Sequence, residues 1–192
     1  TYFKARKIKG GQTMIPFPNK KYNIIYADPP WKYKHWNDEK VTRKCPYDLM
    51  KTENIYNLPV NKIADKDCIL FLWVTFPKLL EGIETINKWG FTYKTCGFNW
   101  VKKNKKADSF FWGMGYWTRA NTELCLIATK GKPKRIGKGV HQVVYERIRE
   151  HSRKPDCIRD KIIELCGDLP RIELFARQDF KSDGWDNWGN EI

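Results

Sequence analysis

Two unbroken apolar runs stand out in an otherwise polar chain. Tyr22-Asn23-Ile24-Ile25-Tyr26-Ala27 stops at Asp28 and two prolines, and Cys68-Ile69-Leu70-Phe71-Leu72-Trp73-Val74 stops shortly before Pro77. Short apolar runs closed by turn residues predict buried strands. Phe91 to Val101, Glu123 to Thr129 and Arg171 to Ala176 are also strand-like. Two segments change to helical spacing. In the first, Pro77 opens a helix, Gly90 stops it, and Leu79, Leu80, Ile83 and Ile86 form its apolar face. In the second, Pro155 precedes a face of Ile158, Ile162, Leu165 and Cys166, with Gly167 as cap. The Lys-rich, aromatic stretch after Val101 predicts a long hairpin loop. Residues 131–153, Gly-rich and weakly patterned, predict an exposed loop. Alternating strands and helices imply a doubly wound α/β sheet, whose ligands bind at the carboxyl ends of the strands. Asp28-Pro29-Pro30-Trp31 and Arg177-Gln178-Asp179 both fall at such ends. Without an internal repeat or long linker, the expectation is a single domain over 1–192. Residues 1–21 would be an N-terminal extension, and 32–50, 102–118 and 131–153 loops around a site.

Composition narrows the class. Of 192 residues, 41% are hydrophobic and 15% aromatic, enough to build a core. No stretch approaches the roughly 20 apolar residues of a membrane span. The first residues carry no apolar signal core, so an intracellular, cytoplasmic protein is expected. Small size, with no zinc finger or other recognition domain, fits a bacterial or phage origin better than a eukaryotic one. The 36 basic and 22 acidic residues leave a formal charge of +14, which favours a polyanionic partner. Lys102, Lys103, Lys105 and Lys106 form one cluster, next to Phe110-Phe111-Trp112 and Tyr116-Trp117, and residues 130–154 carry two more. Cations interleaved with stacking surfaces suit nucleic acid better than a membrane. The six cysteines form no C-x-x-C pair and the three histidines show no ligand spacing, so no metal is expected.

Asp-Pro-Pro-Trp at the end of a buried strand fits chemistry on an aromatic amine. The exocyclic amine of adenine is a poor nucleophile because its lone pair is delocalised into the ring. Acceptors aimed at its two N–H bonds favour the tetrahedral nitrogen that attacks a methyl sulfonium. The Asp28 carboxylate supplies one acceptor and a backbone carbonyl, that of Pro29, the other. The consecutive prolines, Pro29 and Pro30, restrict that carbonyl's rotation. Trp31 would offer a face on which the base stacks once it has left its neighbours. By contrast, Glu173 reads as a strand residue paired with a cation, and Trp73 and Trp100 as core aromatics.

Several blocks carry a family resemblance: Tyr26-Ala27-Asp28-Pro29-Pro30-Trp31, Pro46-Tyr47, Leu70-Phe71-Leu72-Trp73-Val74-Thr75, Glu123-Leu124-Cys125-Leu126, His151-Ser152-Arg153-Lys154-Pro155-Asp156, Ile172-Glu173-Leu174-Phe175-Ala176-Arg177 and Trp188-Gly189-Asn190. From about Tyr22 onward the chain resembles the β-class adenine amino-methyltransferases. That family includes the catalytic subunit of the eukaryotic mRNA adenosine methyltransferase and its bacterial and phage relatives. The resemblance implies a Rossmann-like fold, a mostly parallel sheet with helices on both faces, with S-adenosyl-L-methionine as methyl donor and a flipped adenine as acceptor. It implies that Asp28 is catalytic and lies against the cofactor. Lys154, Arg177, Gln178, Asp179, Phe180, Asn190 and Glu191 match cofactor positions, and Tyr47 and Glu123 border the acceptor adenosine. Lys154 also precedes the helix opened by Pro155, where the dipole favours a carboxylate.

The expected function is therefore N6-methylation of adenine in DNA, with RNA as the close alternative. A homodimer or a related methyltransferase-like subunit is the candidate protein partner. A noncatalytic, nucleic-acid-presenting relative should have lost the acid or the aromatic of the tetrapeptide, and both are present. Methylation of protein glutamine goes with Asn rather than Asp at the first position.

Overall fold

The computed structural model describes residues 6–7, 13–33, 48–150, 152–178 and 183–190. Strands β1 (Arg6–Lys7) and β2 (Thr13–Met14) pair with each other. The main sheet comprises β3 (Tyr22–Ala27), β4 (Ala64–Val74), β5 (Thr92–Lys103), β6 (Thr122–Lys130), β7 (Val143–Arg147), β8 (Arg171–Leu174) and β9 (Asp186–Trp188). Three α-helices, α1 (Thr52–Tyr56), α2 (Leu79–Lys88) and α3 (Cys157–Cys166), and two short 3-10 turns, Val60–Lys62 and Phe76–Lys78, complete the described elements.

The strand order is β7-β5-β6-β4-β3-β8-β9. β3 pairs in parallel with β4 and β8, β8 with β9, and β5 with β7, whereas β6 is antiparallel to both its neighbours. Reversing β6 alone thus leaves six strands pointing one way. Their carboxyl ends, with the start of β6, gather at one edge. β3 lies where the connections diverge, with β4 on one side and β8 on the other, the position at which open α/β sheets form a crevice.

Burial follows the pleat. Ile25 and Ala27 of β3 face a core shared with Ile55 of α1 and Ile86 of α2. Ile24 and Tyr26 face the opposite core, with Ile158, Ile162 and Cys166 of α3. Helices therefore cover both faces, and the central strands are buried on both sides, as their unbroken apolar runs require.

Two expectations change. Leu80 is 82% exposed, because the contact stripe of α2 runs through Leu79, Gly82, Ile83 and Ile86. Gly82 sits so close to the Val74 side chain that a Cβ would collide with it, and this fixes the rotation of the helix. Residues 131–153 are not all loop: β7 lies among them, with Val144 as its one buried side chain and hence no alternating pattern. The three-residue β9 extends the sheet beyond β8, anchored by buried Trp188, which donates its indole N–H to the Ile15 carbonyl at 3.1 Å and stacks on Phe17. Among the described residues, no helix is long and apolar enough to cross a membrane.

Candidate active site

Asp28 follows the last residue of β3. The prolines behind it leave the chain in a tight turn, in which the Trp31 N–H donates to the Pro29 carbonyl at 2.8 Å and the Met50 N–H to the Pro30 carbonyl at 2.8 Å. A carbonyl oxygen has two lone pairs, so that of Pro29 keeps one for a ligand. The place of Trp31 differs from the expectation of an open stacking face. The residue is only 5% exposed, packs in the core with Ile55 and Leu72, and donates its indole N–H to the Trp73 carbonyl at 3.1 Å. It is the wedge that holds the turn against β4.

The charged groups form a row. Lys154 Nζ donates to Asp28 Oδ2 at 2.6 Å, lies 3.3 Å from Glu123 Oε2, and donates to the Ser152 carbonyl at 3.2 Å. The other carboxylate oxygen of Glu123 accepts from Lys102 at 2.5 Å. Side-chain exposure is 27% for Asp28 but only 8%, 13% and 16% for Lys154, Glu123 and Lys102. Two acids and two amines balance, so the row sits in a poorly hydrated edge with no net charge. Burial pushes the Asp28 carboxyl above its ordinary range even though Lys154 opposes it. Burial also penalises the Glu123 carboxylate, but Lys154 and Lys102 outweigh it and hold that group low. Burial disfavours the charged form of Lys154, yet the two acids keep the ammonium firmly protonated.

Lys154 comes from the segment before α3, while Glu123 lies near the start of β6 and Lys102 near the end of β5. The chain reaches Lys154 through Ser152, whose φ is +62°. Phe175, directly after β8, has φ +63°. Left-handed backbone at residues other than glycine is costly and concentrates at functional edges. Two hydrogen bonds and the ion pair with Glu123 thus surround the Lys154 ammonium, and a direct contact with a cofactor carboxylate would compete with these partners. Asp28 Oδ1 takes no hydrogen bond from any described residue and remains an acceptor.

The remaining candidates lie around this row. Arg177, Gln178 and Asn190 are exposed at the ends of β8 and β9. Gly189 crosses the Ala176 backbone so closely that a Cβ would collide with it, and the Ala176 N–H donates to the Trp188 carbonyl at 3.1 Å. This crossing brings the segments of Arg177 and Asn190 together. Lys105 and Lys106 are exposed, and Lys103 pairs with Asp108 at 2.6 Å. Tyr47, Asp179, Phe180 and Glu191 lie outside the described residues. Glu173 is a structural acid: Arg159 grips it through two N–H bonds at 2.7 and 3.0 Å. Trp73 and Trp100 are core residues, 1% and 3% exposed.

Sequence reasoning missed Tyr33, and it placed Lys102 in an exposed basic cluster rather than in this row. The Tyr33 hydroxyl hydrogen-bonds the Thr75 hydroxyl at 2.8 Å, and burial, together with the nearby acids Glu123 and Asp28, raises its pKa. A polar residue two places after Trp31 was the available signal.

Sequence comparison assigns the chain to a family. The chain is 36% identical to the type II methyltransferase M.MunI of Mycoplasma sp over 194 residues, covering 91% of this chain and 79% of that protein. It is 30% identical to the N(6)-adenosine-methyltransferase catalytic subunit METTL3 of Homo sapiens over 174 residues, covering 90% of this chain but 28% of the human protein. The N(6)-adenosine-methyltransferase MT-A70-like protein of Drosophila melanogaster is also 30% identical, over 90% of this chain and 27% of its own length. The MT-A70 family model matches residues 22–191, nearly the whole chain, and the protein belongs to the MT-A70 family.

Proposed function

We propose that the chain is an S-adenosyl-L-methionine-dependent methyltransferase of Rossmann-like fold, acting on the 6-amino group of adenine in DNA. The observation that carries this reading is the Asp28 carboxylate at the carboxyl end of β3, fixed by a buried Lys154 and keeping one oxygen as acceptor. Similarity to a type II methyltransferase most of whose length the chain spans favours DNA. Similarity to the METTL3 catalytic subunit keeps RNA as the second reading.

The residues present fit the cofactor. S-adenosyl-L-methionine carries an amino-acid zwitterion, a ribose diol and a sulfonium, and supplies the methyl group. Asp28 with Lys154 is a charge-balanced pair for the zwitterion. Arg177, Gln178 and Asn190 offer polar groups along the same edge, joined in sequence by Asp179, Phe180 and Glu191. Asp28 Oδ1 and the free lone pair of the Pro29 carbonyl accept the two N–H bonds of the amine, Pro30 and Trp31 keep the turn from opening, and Tyr47 and Glu123 border the base. The amine's proton leaves towards Asp28, whose raised pKa suits it to receive one. Incubation with radiolabelled donor and matched DNA or RNA oligonucleotides, followed by nucleoside analysis, tests the reading. N6-methyladenine from DNA is expected; label in neither polymer would sink the proposal.

Lys103, Lys105 and Lys106 would contact substrate phosphates. Replacing all three with Ala should weaken oligonucleotide binding and flatten its salt dependence by about one log–log unit per lost contact. Cofactor binding, read by calorimetry, should not change. An unaltered salt slope would assign these lysines to a solvated face.

A further inference from the structure

The hairpin between β5 and β6 carries the largest apolar exposure of the described molecule. Trp112, Met114, Tyr116 and Trp117 are 74%, 86%, 94% and 92% exposed, all within six residues. Large apolar side chains so close together on a surface mark a binding site rather than ordinary surface. Their display is built into the backbone. Gly113 and Gly115 lie so tightly against the carbonyls of Ala120 and Thr118 that a Cβ at either would collide. The close approach of the two arms of the loop leaves no room for side chains between them, and the large ones lie exposed outside.

Charge identifies the occupant. From Lys102 to Asn121 the hairpin holds five basic residues and one acid, Asp108, which Lys103 neutralises. The Arg119 guanidinium lies 5.7 Å from the centre of the Trp112 ring, leaving a cation beside an aromatic face. The hairpin rises from the sheet edge that holds Asp28, because Lys102 and Glu123, at its two feet, belong to the buried charged row. Aromatic faces set among cations match a polyanion with exposed rings, which is an unpaired nucleic-acid strand.

We propose that residues 112–117 are a stacking finger that holds unpaired bases of the substrate strand beside the target adenine, so that single-stranded or locally opened substrate is preferred. This deepens the methyltransferase reading and rests on it for the identity of the target. A base removed from a duplex loses its stacking neighbours, and rings presented at the same edge replace them for the bases left unpaired.

Fluorescence anisotropy with a labelled single strand and its duplex, comparing the parent with W112A/W117A, tests the finger. These side chains are exposed, so the variant should fold, as circular dichroism would verify. The parent should bind the single strand more tightly than the duplex. The variant should lose about tenfold or more of the single-strand affinity with an unchanged salt slope, since stacking removes no phosphate contact. Parent-like affinity in the variant would overturn the finger. So would a parent dimer that the substitutions split into monomers with oligonucleotide affinity intact, because the loop would then be a protein interface. Methyl transfer by the parent is scored separately. A parent that methylates adenine while the variant binds normally refutes only the finger. A parent that binds strands through the finger yet transfers no methyl refutes only the enzymatic reading.

Discussion

Asp28→Asn should reduce methyl transfer by on the order of 10²–10³-fold or more while leaving the protein folded. The substitution keeps the shape of the side chain and its carbonyl oxygen but removes the charge that draws the amine towards a tetrahedral nitrogen. Lys154 still has Glu123 and the Ser152 carbonyl as partners, so the buried ammonium is not abandoned. Single-turnover rates at saturating cofactor and substrate measure the effect, with thermal unfolding as the check on folding. A well-folded variant with near-parental turnover would show that the carboxylate is not the acceptor. The parent's pH profile supplies an independent reading. The active form is the carboxylate, and burial raises the pKa at which it forms. Activity should therefore rise with pH through a limb above the ordinary aspartate range, and Asp28→Asn should abolish that limb.

Legibility from sequence divides along physical lines. The strands β3 and β4 are plain because burial on both faces forces continuous apolar runs, and α3 because its stripe and its Gly167 cap agree. β7 and β9 are hidden because one buries a single side chain, Val144, and the other spans three residues anchored by Trp188. The reversal of β6 is readable in part, since a hairpin loop before Glu123 requires an antiparallel neighbour. In the candidate site, Asp28, Lys154 and Glu123 can be picked out singly, by motif and resemblance. Their assembly into one row cannot, because it joins positions 126 residues apart through the sheet order. Trp31 teaches the converse. An aromatic residue in a motif reads as a ligand surface, whereas an indole N–H within reach of the Trp73 carbonyl makes it a core wedge. In sequence Lys102 reads as part of a basic run, but on the β5–β6 ladder it stands two residues beyond Trp100, the direct partner of Glu123, and so shares a face with that acid and turns inward to it.

The row also makes Lys154→Met the most informative substitution. Methionine fills a similar volume but removes the cation from between two carboxylates that share a poorly hydrated edge. Glu123 retains Lys102 at 2.5 Å, so Asp28 bears most of the loss. Breaking a buried pair from one side typically costs about 3–5 kcal/mol, because the remaining charge is left uncompensated. Asp28 is partly exposed, at 27%, so the lower part of that range or less is expected here. The cost is reduced when Asp28 takes up a proton, which moves its already raised pKa further upward. The sign follows from proton counting. Between the unfolded and the folded pKa of Asp28 the native state holds a proton that the unfolded chain has released, so stability falls as pH rises through that window. The deficit of the variant relative to the parent should thus be largest at neutral pH and above, and shrink as pH falls towards the ordinary carboxylate range. Denaturant unfolding at several pH values measures it. Catalysis should move with it: the acid limb of the rate profile, taken at saturating cofactor, shifts to higher pH because more of Asp28 is protonated at any given pH. Lys154→Arg, which restores a cation, should return the limb towards its original place. An acid limb that stays put in Lys154→Met, despite a fall in rate, would mean that Lys154 serves the cofactor or substrate directly and not through Asp28.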